Sequence, residues 1–221
     1  MKKTLIAAAL MVCAGSAFAD PTAVLQVQGK LTNASCTPEL SNGGEVDYGY
    51  IHLSTLSASS NNDLGTKDFD LTIKCSVATK VAWFINDDHA DDNANIPIKV
   101  GSNNAIGVTY TYGIGKTKDG VNIGNYAITP SGVNADGSAE QHIVRNSDWE
   151  STRSWSTDVS TIRPQGITIN SVAKQGDNAP LAFNTATFNL QTSLSIKDTT
   201  TLAITDDTEM NGQATITLQY L

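Results

Sequence analysis

Apolar side chains recur at every second position through most of this chain, and that period commits it to β-strands. Phe69, Leu71, Ile73 and Cys75 alternate with Asp70, Thr72 and Lys74. Ile106, Val108, Tyr110 and Tyr112 are spaced the same way, and Tyr126 with Ile128 and Ile167 with Ile169 begin similar runs. Phe188, Leu190, Thr192, Leu194 and Ile196 form one face of a long strand, and Ala214, Ile216, Leu218 and Tyr220 form the last. A strand sends successive side chains to opposite faces, so such a pattern buries one face and wets the other. The intervals are rich in Gly, Asn, Asp and Ser, which supply the backbone conformations that turns need. No helical apolar stripe with a capping box follows the first residues. The expected fold is an all-β antiparallel sandwich of roughly eight to ten strands. The span from about 116 to 163 or 165 is the least patterned and reads as elaborated loops with one or two short strands.

The opening is different. Lys2 and Lys3 precede an apolar stretch from Thr4 to Ala14, and Ala17-Phe18-Ala19 has the small-x-small pattern of a cleavage site. This is the pattern of a bacterial secretory signal peptide, expected to occupy residues 1–19. Its apolar stretch is shorter than the roughly 20 residues a spanning helix needs. Hydrophobic residues make up 40% of the chain and charged ones 16%, which argues against disorder. A formal net charge of -8 argues against nucleic acid as a partner, because a negative surface repels phosphate. The expected route is export through the periplasm.

Of three cysteines, Cys13 lies in the signal segment, leaving Cys36 and Cys75 to meet an oxidising compartment as a pair. A bridge between them closes a loop of about 40 residues, worth roughly 4 kcal/mol in the chain-entropy view. The other reading is two separate buried thiols. A metal site is not expected, since His52, His89 and His142 are scattered and none stands in a ligand-like spacing.

Three motifs occur together. Gly29-Lys30-Leu31-Thr32-Asn33-Ala34-Ser35-Cys36 follows a short alternating segment. Val46-Asp47-Tyr48-Gly49 then precedes Phe69-Asp70-Leu71-Thr72-Ile73-Lys74-Cys75. The chain stops at Gly212-Gln213-Ala214-Thr215-Ile216-Thr217-Leu218-Gln219-Tyr220-Leu221. In order and spacing these resemble subunits of chaperone–usher pili, or fimbriae, and a larger branch of fimbrial-like periplasmic proteins. The likeness covers roughly residues 20–86 and 182–221, and the middle is longer than in a typical pilin.

The resemblance implies an immunoglobulin-like, pilin-type sandwich over residues 29–221 that lacks its last strand. It also implies a donor strand in an N-terminal extension, residues 20–28. Partners implied are a periplasmic pilus chaperone, an outer-membrane usher and neighbouring subunits, with the fibre at the cell surface. Such subunits are completed from outside by β-strand addition. Ala23, Leu25 and Val27 share one side of the extension and would fill a neighbour's groove; alternatively, residues 22–31 form the first strand of their own domain. Ala214, Ile216, Leu218 and Tyr220 would line the acceptor groove, with the Leu221 carboxylate held by the chaperone. The plain alternative is a terminal strand in a closed sandwich.

Other clusters carry less. Asp87, Asp88, His89, Asp91 and Asp92 lack the glycine and distal glutamate of a calcium loop and read as a solvated turn, as do Asp206, Asp207 and Glu209. No Gly-x-Ser-x-Gly or His-Glu-x-x-His is present, so no enzyme and no cofactor is expected. Trp83 lies in the apolar run 81–85 and reads as core. Trp149 and Trp155 lie in the irregular middle, as buried loop anchors or as stacking platforms for a sugar ring. Two functions follow: a structural fibre subunit, or a periplasmic or secreted carbohydrate-binding or adhesive module contacting a surface glycan.

Overall fold

The computed structural model describes residues 35–147 and 154–221, apart from 102, 106 and 159. The expected signal peptide, Ala23, Leu25, Val27 and Trp149 lie outside the described residues. The strands are β1 (Cys36–Leu40), β2 (Asn62–Thr79), β3 (Val81–Asp87), β4 (Ile98–Val100), β5 (Asn103–Ala105), β6 (Tyr112–Gly113), β7 (Gly124–Ala135), β8 (Ser138–Asn146), β9 (Thr168–Ala173), β10 (Phe183–Ile196) and β11 (Ala214–Tyr220). One four-residue helix, α1 (Thr199–Leu202), is capped by the Asp198 carboxylate, which accepts from Thr201 N.

The protein is an all-β antiparallel sandwich. Its ladders run in the order β1-β2-β10-β7-β8-β9-β3-β11, with β6 beside β7 and β4 paired to β5. Strand β8 carries the chain from one layer to the other: residues 138–140 pair with β7 and residues 141–146 with β9. The hairpin that aims it is a two-residue turn in which Asp136 (φ 49°) and Gly137 (φ 84°) are both left-handed. An Asp-Gly pair takes that conformation at little cost, and it matches the twist of the flanking strands.

Strand β2 is paired on both sides. Its Leu71 and Ile73 are sealed together with Phe188 and Leu190 of β10 and Val81, Trp83 and Ile85 of β3. Across the layers Trp83 meets the Phe188 ring edge-on at 5.2 Å, the arrangement the ring quadrupoles favour. Trp83 is thus core, as its apolar run suggests. Where the β3–β9 ladder shortens to a single pair, Trp83 with Asn170, side chains take over. Asn170 Nδ2 donates to Trp83 O and Ser171 Oγ donates to Val81 O, so the buried carbonyls keep partners.

The middle is more regular than its composition suggests. Strand β7 runs for 12 residues and β8 for 9. Ala127 on β7 packs under Ile98 and Ala105 of the β4–β5 hairpin, while Ile128 and Val133 join the main core. In contrast, the spacing of Val108 and Tyr110 does not make a strand. The amides of Tyr110 and Thr111 fold back to Gly107 O at 2.9 and 3.1 Å, and both Val108 and Tyr110 are exposed. The acidic turn also differs in part, since Asp87 ends β3 as a buried residue.

Candidate functional site

The two ends of the ladder order, β1 and β11, are neighbours in space. Strand β1 pairs with β2 in the register Cys36↔Cys75 through Leu40↔Leu71. Cys36 and Cys75 are bonded across that pair with their Cα atoms 4.0 Å apart, closing a sequence separation of 39. Among the described residues β11 pairs only with β3, in the register Ala214↔Asp87 through Tyr220↔Val81. Among the described residues no ladder joins β1 to β11.

Hydrogen bonds just outside the ladders show which way each edge points. Ser76 N donates to Ser35 O at 2.9 Å. Bonded and non-bonded pairs alternate in an antiparallel ladder, so Thr37 and Glu39 bond to β2 while Cys36, Pro38 and Leu40 turn their backbone outward. On the other side Asp88 N donates to Gln213 O and Leu221 N donates to Lys80 O, at 3.0 and 3.1 Å. By the same alternation Thr215, Thr217 and Gln219 bond to β3, and Ala214, Ile216, Leu218 and Tyr220 turn their amides and carbonyls to the open edge.

Five of these outward-turned residues, Cys36, Leu40, Ala214, Ile216 and Leu218, also pack their side chains on the core, while Pro38 and Tyr220 are exposed. Ala214, Ile216 and Leu218 pack on the main core but stay half-buried, whereas Val81, Trp83 and Ile85 on the adjacent strand are sealed. Cys36 and Leu40 on β1 are half-buried in the same way. Between the two strands lies a cleft of about 380 Å³, lined by Pro38, Glu39, Leu40, Gly43, Leu71 and Ile216. Leu71 forms its floor and is fully buried, so the cleft reaches the core itself. One bond crosses the gap at its far end: Cys36 N donates to Tyr220 Oη at 2.9 Å. A tyrosine side chain, instead of backbone, spans the distance.

Of the four β11 residues expected to line a groove, Ala214, Ile216 and Leu218 pack on the core and Ile216 alone lines this cleft; Tyr220 is exposed, and so is Leu221. Pro38, Leu40 and Leu71 complete the cleft and were not anticipated. Pro38 held the clue, because a proline within a strand belongs at an edge where its missing N–H costs no ladder bond. The edge is flanked by an exposed ion pair, Lys74 Nζ to Glu39 Oε2 at 2.6 Å.

Perturbed ionisable groups lie away from the cleft's apolar floor. Burial raises the Asp87 carboxyl, against the amides of Gly113 and His89 that favour its charged form. Hydrogen bonds from His89 and Lys116 lower Asp92. Burial drives His142 down to about 4, its Nε2 facing Asn170 Oδ1 at 3.0 Å. Among the described residues no three His, Cys, Asp or Glu side chains are grouped to hold a metal ion. Trp155 lies beneath the Arg145 guanidinium at 5.0 Å, and Arg163 lies over the Tyr110 ring at 4.7 Å.

Comparison with known proteins adds relatives. Residues 25–127 match the family described as "Protein of unknown function (DUF1120)". The chain is 30% identical to "Uncharacterized protein YhcF" of Escherichia coli (strain K12), over 96% of this chain and 98% of that one. It is also 30% identical to "Protein GltF" of the same organism, over 98% of this chain and 96% of the relative.

Proposed function

The chain belongs to the family of these two E. coli proteins, and from that premise we propose that it is a structural subunit of a bacterial surface fibre. In this reading it is a pilin-type immunoglobulin-like sandwich short of one strand. A strand from a neighbour completes it, after a periplasmic chaperone has held the edge and an outer-membrane usher has exchanged the partners. The observation that carries the reading is the coincidence at β1 and β11. Among the described residues, Leu40, Ile216 and Leu218 turn backbone groups out of any ladder and leave their inner side chains half-covered, beside a cleft that ends on Leu71. An edge of that kind invites strand addition. Each Leu- or Val-sized side chain a visiting strand buries contributes about 1.5–3 kcal/mol, and each ladder bond about 1 kcal/mol.

The occupant in the assembled fibre is the segment carrying Ala23, Leu25 and Val27 from a second subunit, whose alternation matches that of the inner face of β11. A synthetic peptide of residues 20–31 added to the purified full-length protein tests this. The expected result is saturable binding that raises the melting temperature and is lost when Leu25 and Val27 of the peptide are replaced by Asp. No binding at any peptide concentration, with a sharp two-state melt for the protein alone, overturns it.

A glycan-binding module is the second reading. The exposed Tyr110 ring favours it, since a bare aromatic face can stack on sugar. That ring and Trp155 are each already covered on one side by an arginine of the same chain, so the fibre reading is preferred. Glycan-dependent stabilisation in the absence of any peptide binding would reverse that preference.

A further inference from the structure

Strand β1 turns two N–H groups outward, those of Cys36 and Leu40, because Pro38 between them has none. Of these, Cys36 N is held at 2.9 Å by the hydroxyl of Tyr220 from the opposite rim. We propose that this bond is a latch: Tyr220 closes one end of the open edge while the sandwich is incomplete, and a completing strand must displace it. The inference rests on the strand-addition reading and adds a rate-setting residue to it.

The parts suit the task. Cys36 is a fixed anchor, because its side chain is bonded to Cys75 on β2 and cannot follow the tyrosine. Tyr220 is a movable bolt. It is 52% exposed, so its ring can leave the gap for water with little loss of burial. The hydroxyl occupies a donor that a strand lying between β1 and β11 needs for its own carbonyl. The adjacent Leu221 amide is tied to Lys80 O at 3.1 Å, which keeps the backbone of β11 in register when the side chain moves. The latch is therefore a side-chain event that leaves the ladder to β3 intact.

Only the unlatched fraction accepts a strand, so the latch lowers the apparent rate and affinity of completion by that fraction. A single hydrogen bond of ordinary strength corresponds to about a three- to tenfold effect. The test is Tyr220→Phe in the full-length protein, with uptake of the fluorescently labelled peptide of residues 20–31 as the readout. Mass spectrometry first confirms that the Cys36–Cys75 bridge is present. The expected outcome is uptake three to ten times faster, an apparent affinity higher by the same factor, and an unchanged release rate. Amide exchange at Cys36 should quicken while that at Thr217, bonded to β3, does not. Tyr48→Phe serves as control, since the Tyr48 hydroxyl also bonds within the fold, to Thr192 Oγ1 at 2.9 Å, but away from this edge. Equal uptake by wild type and Tyr220→Phe, or an equal gain from Tyr48→Phe, overturns the latch and leaves strand addition standing. Peptide bound by neither protein overturns both.

Discussion

His142 couples the stability of this fold to pH. Its imidazole lies 6.0 Å from the Trp83 ring and 5.4 Å from that of Phe188, centre to centre. Asn170 fixes the tautomer: its amide nitrogen donates to Trp83 O, leaving Oδ1 to accept from His142 Nε2–H. Nδ1 is buried without a hydrogen-bond partner, although the residue as a whole is half-buried. Burial holds the folded-state value near 4, against 6.5 in an unfolded chain. The unfolded state therefore takes up the proton first, so stability is full above about pH 6.5 and falls until about pH 4, by roughly 3 kcal/mol in all. Chemical denaturation between pH 7 and 4 measures this, and His142→Gln should flatten the slope through that window. A slope unchanged by the substitution would remove His142 from the account. The cysteine pair gives a second residue-scale expectation. Replacing Cys36 and Cys75 together by Ala should cost about 4 kcal/mol by the loop-closure argument, seen as a lower denaturation midpoint. The pairing was legible because only two cysteines follow the signal-like segment. The histidine's environment was not, because it arises where three strands distant in sequence converge.

At the scale of elements, what was legible depended on whether a strand keeps one parity. The apolar residues of β2, β10 and β11 keep to one face throughout their readable part, so period two is visible in the letters. Strand β7 changes parity midway. Leu190 pairs with Pro130 and Asn189 with Gly132, leaving Ser131 as an extra residue, and the inward set shifts from Ile128 to Val133 and Ala135. A bulge of this kind breaks the alternation that a linear reading needs, so Tyr126 with Ile128 signals the start of β7 but not its full length. Its turn into β8 did carry a signal, Asp136-Gly137. Gly137→Val should destabilise the hairpin by more than about 1 kcal/mol, because φ 84° is hostile to a β-branched residue. The edge strand can be tested by contrast with a central one. Leu190→Ala on β10, fully buried, should cost about 2–5 kcal/mol. Leu218→Ala on β11 should cost less in the isolated protein, because its side chain is only half-covered. Equal losses in urea melts would mean that β11 is already enclosed.

The described residues form a sandwich with a seam. Its layers are joined on one side by the crossing of β8 and on the other by a tyrosine hydroxyl that reaches across the gap to β1, a strand the disulfide ties to β2 of its own layer. Motif order at the two chain ends pointed to this seam, yet only the ladder registers reveal that its unpaired backbone and its uncovered side chains belong to the same residues. Filling the seam should change global stability. Two or three aliphatic side chains and several ladder bonds amount to more than about 5 kcal/mol, which for a chain of this size corresponds to a melting temperature higher by about 10–20 °C. Calorimetry with and without the peptide of residues 20–31 reads this directly, and a shift of only a degree or two would be incompatible with a filled core.

Pro38 gives the two rims different characters. The β11 rim offers a full set of donors and acceptors, whereas the β1 rim has a blank in its middle. Two copies meeting β1 to β1 cannot knit a continuous ladder, because each presents the same blank to the other. Face-alike pairing through β1 is thereby discouraged, so a visiting backbone finds its continuous row of partners on the β11 side alone.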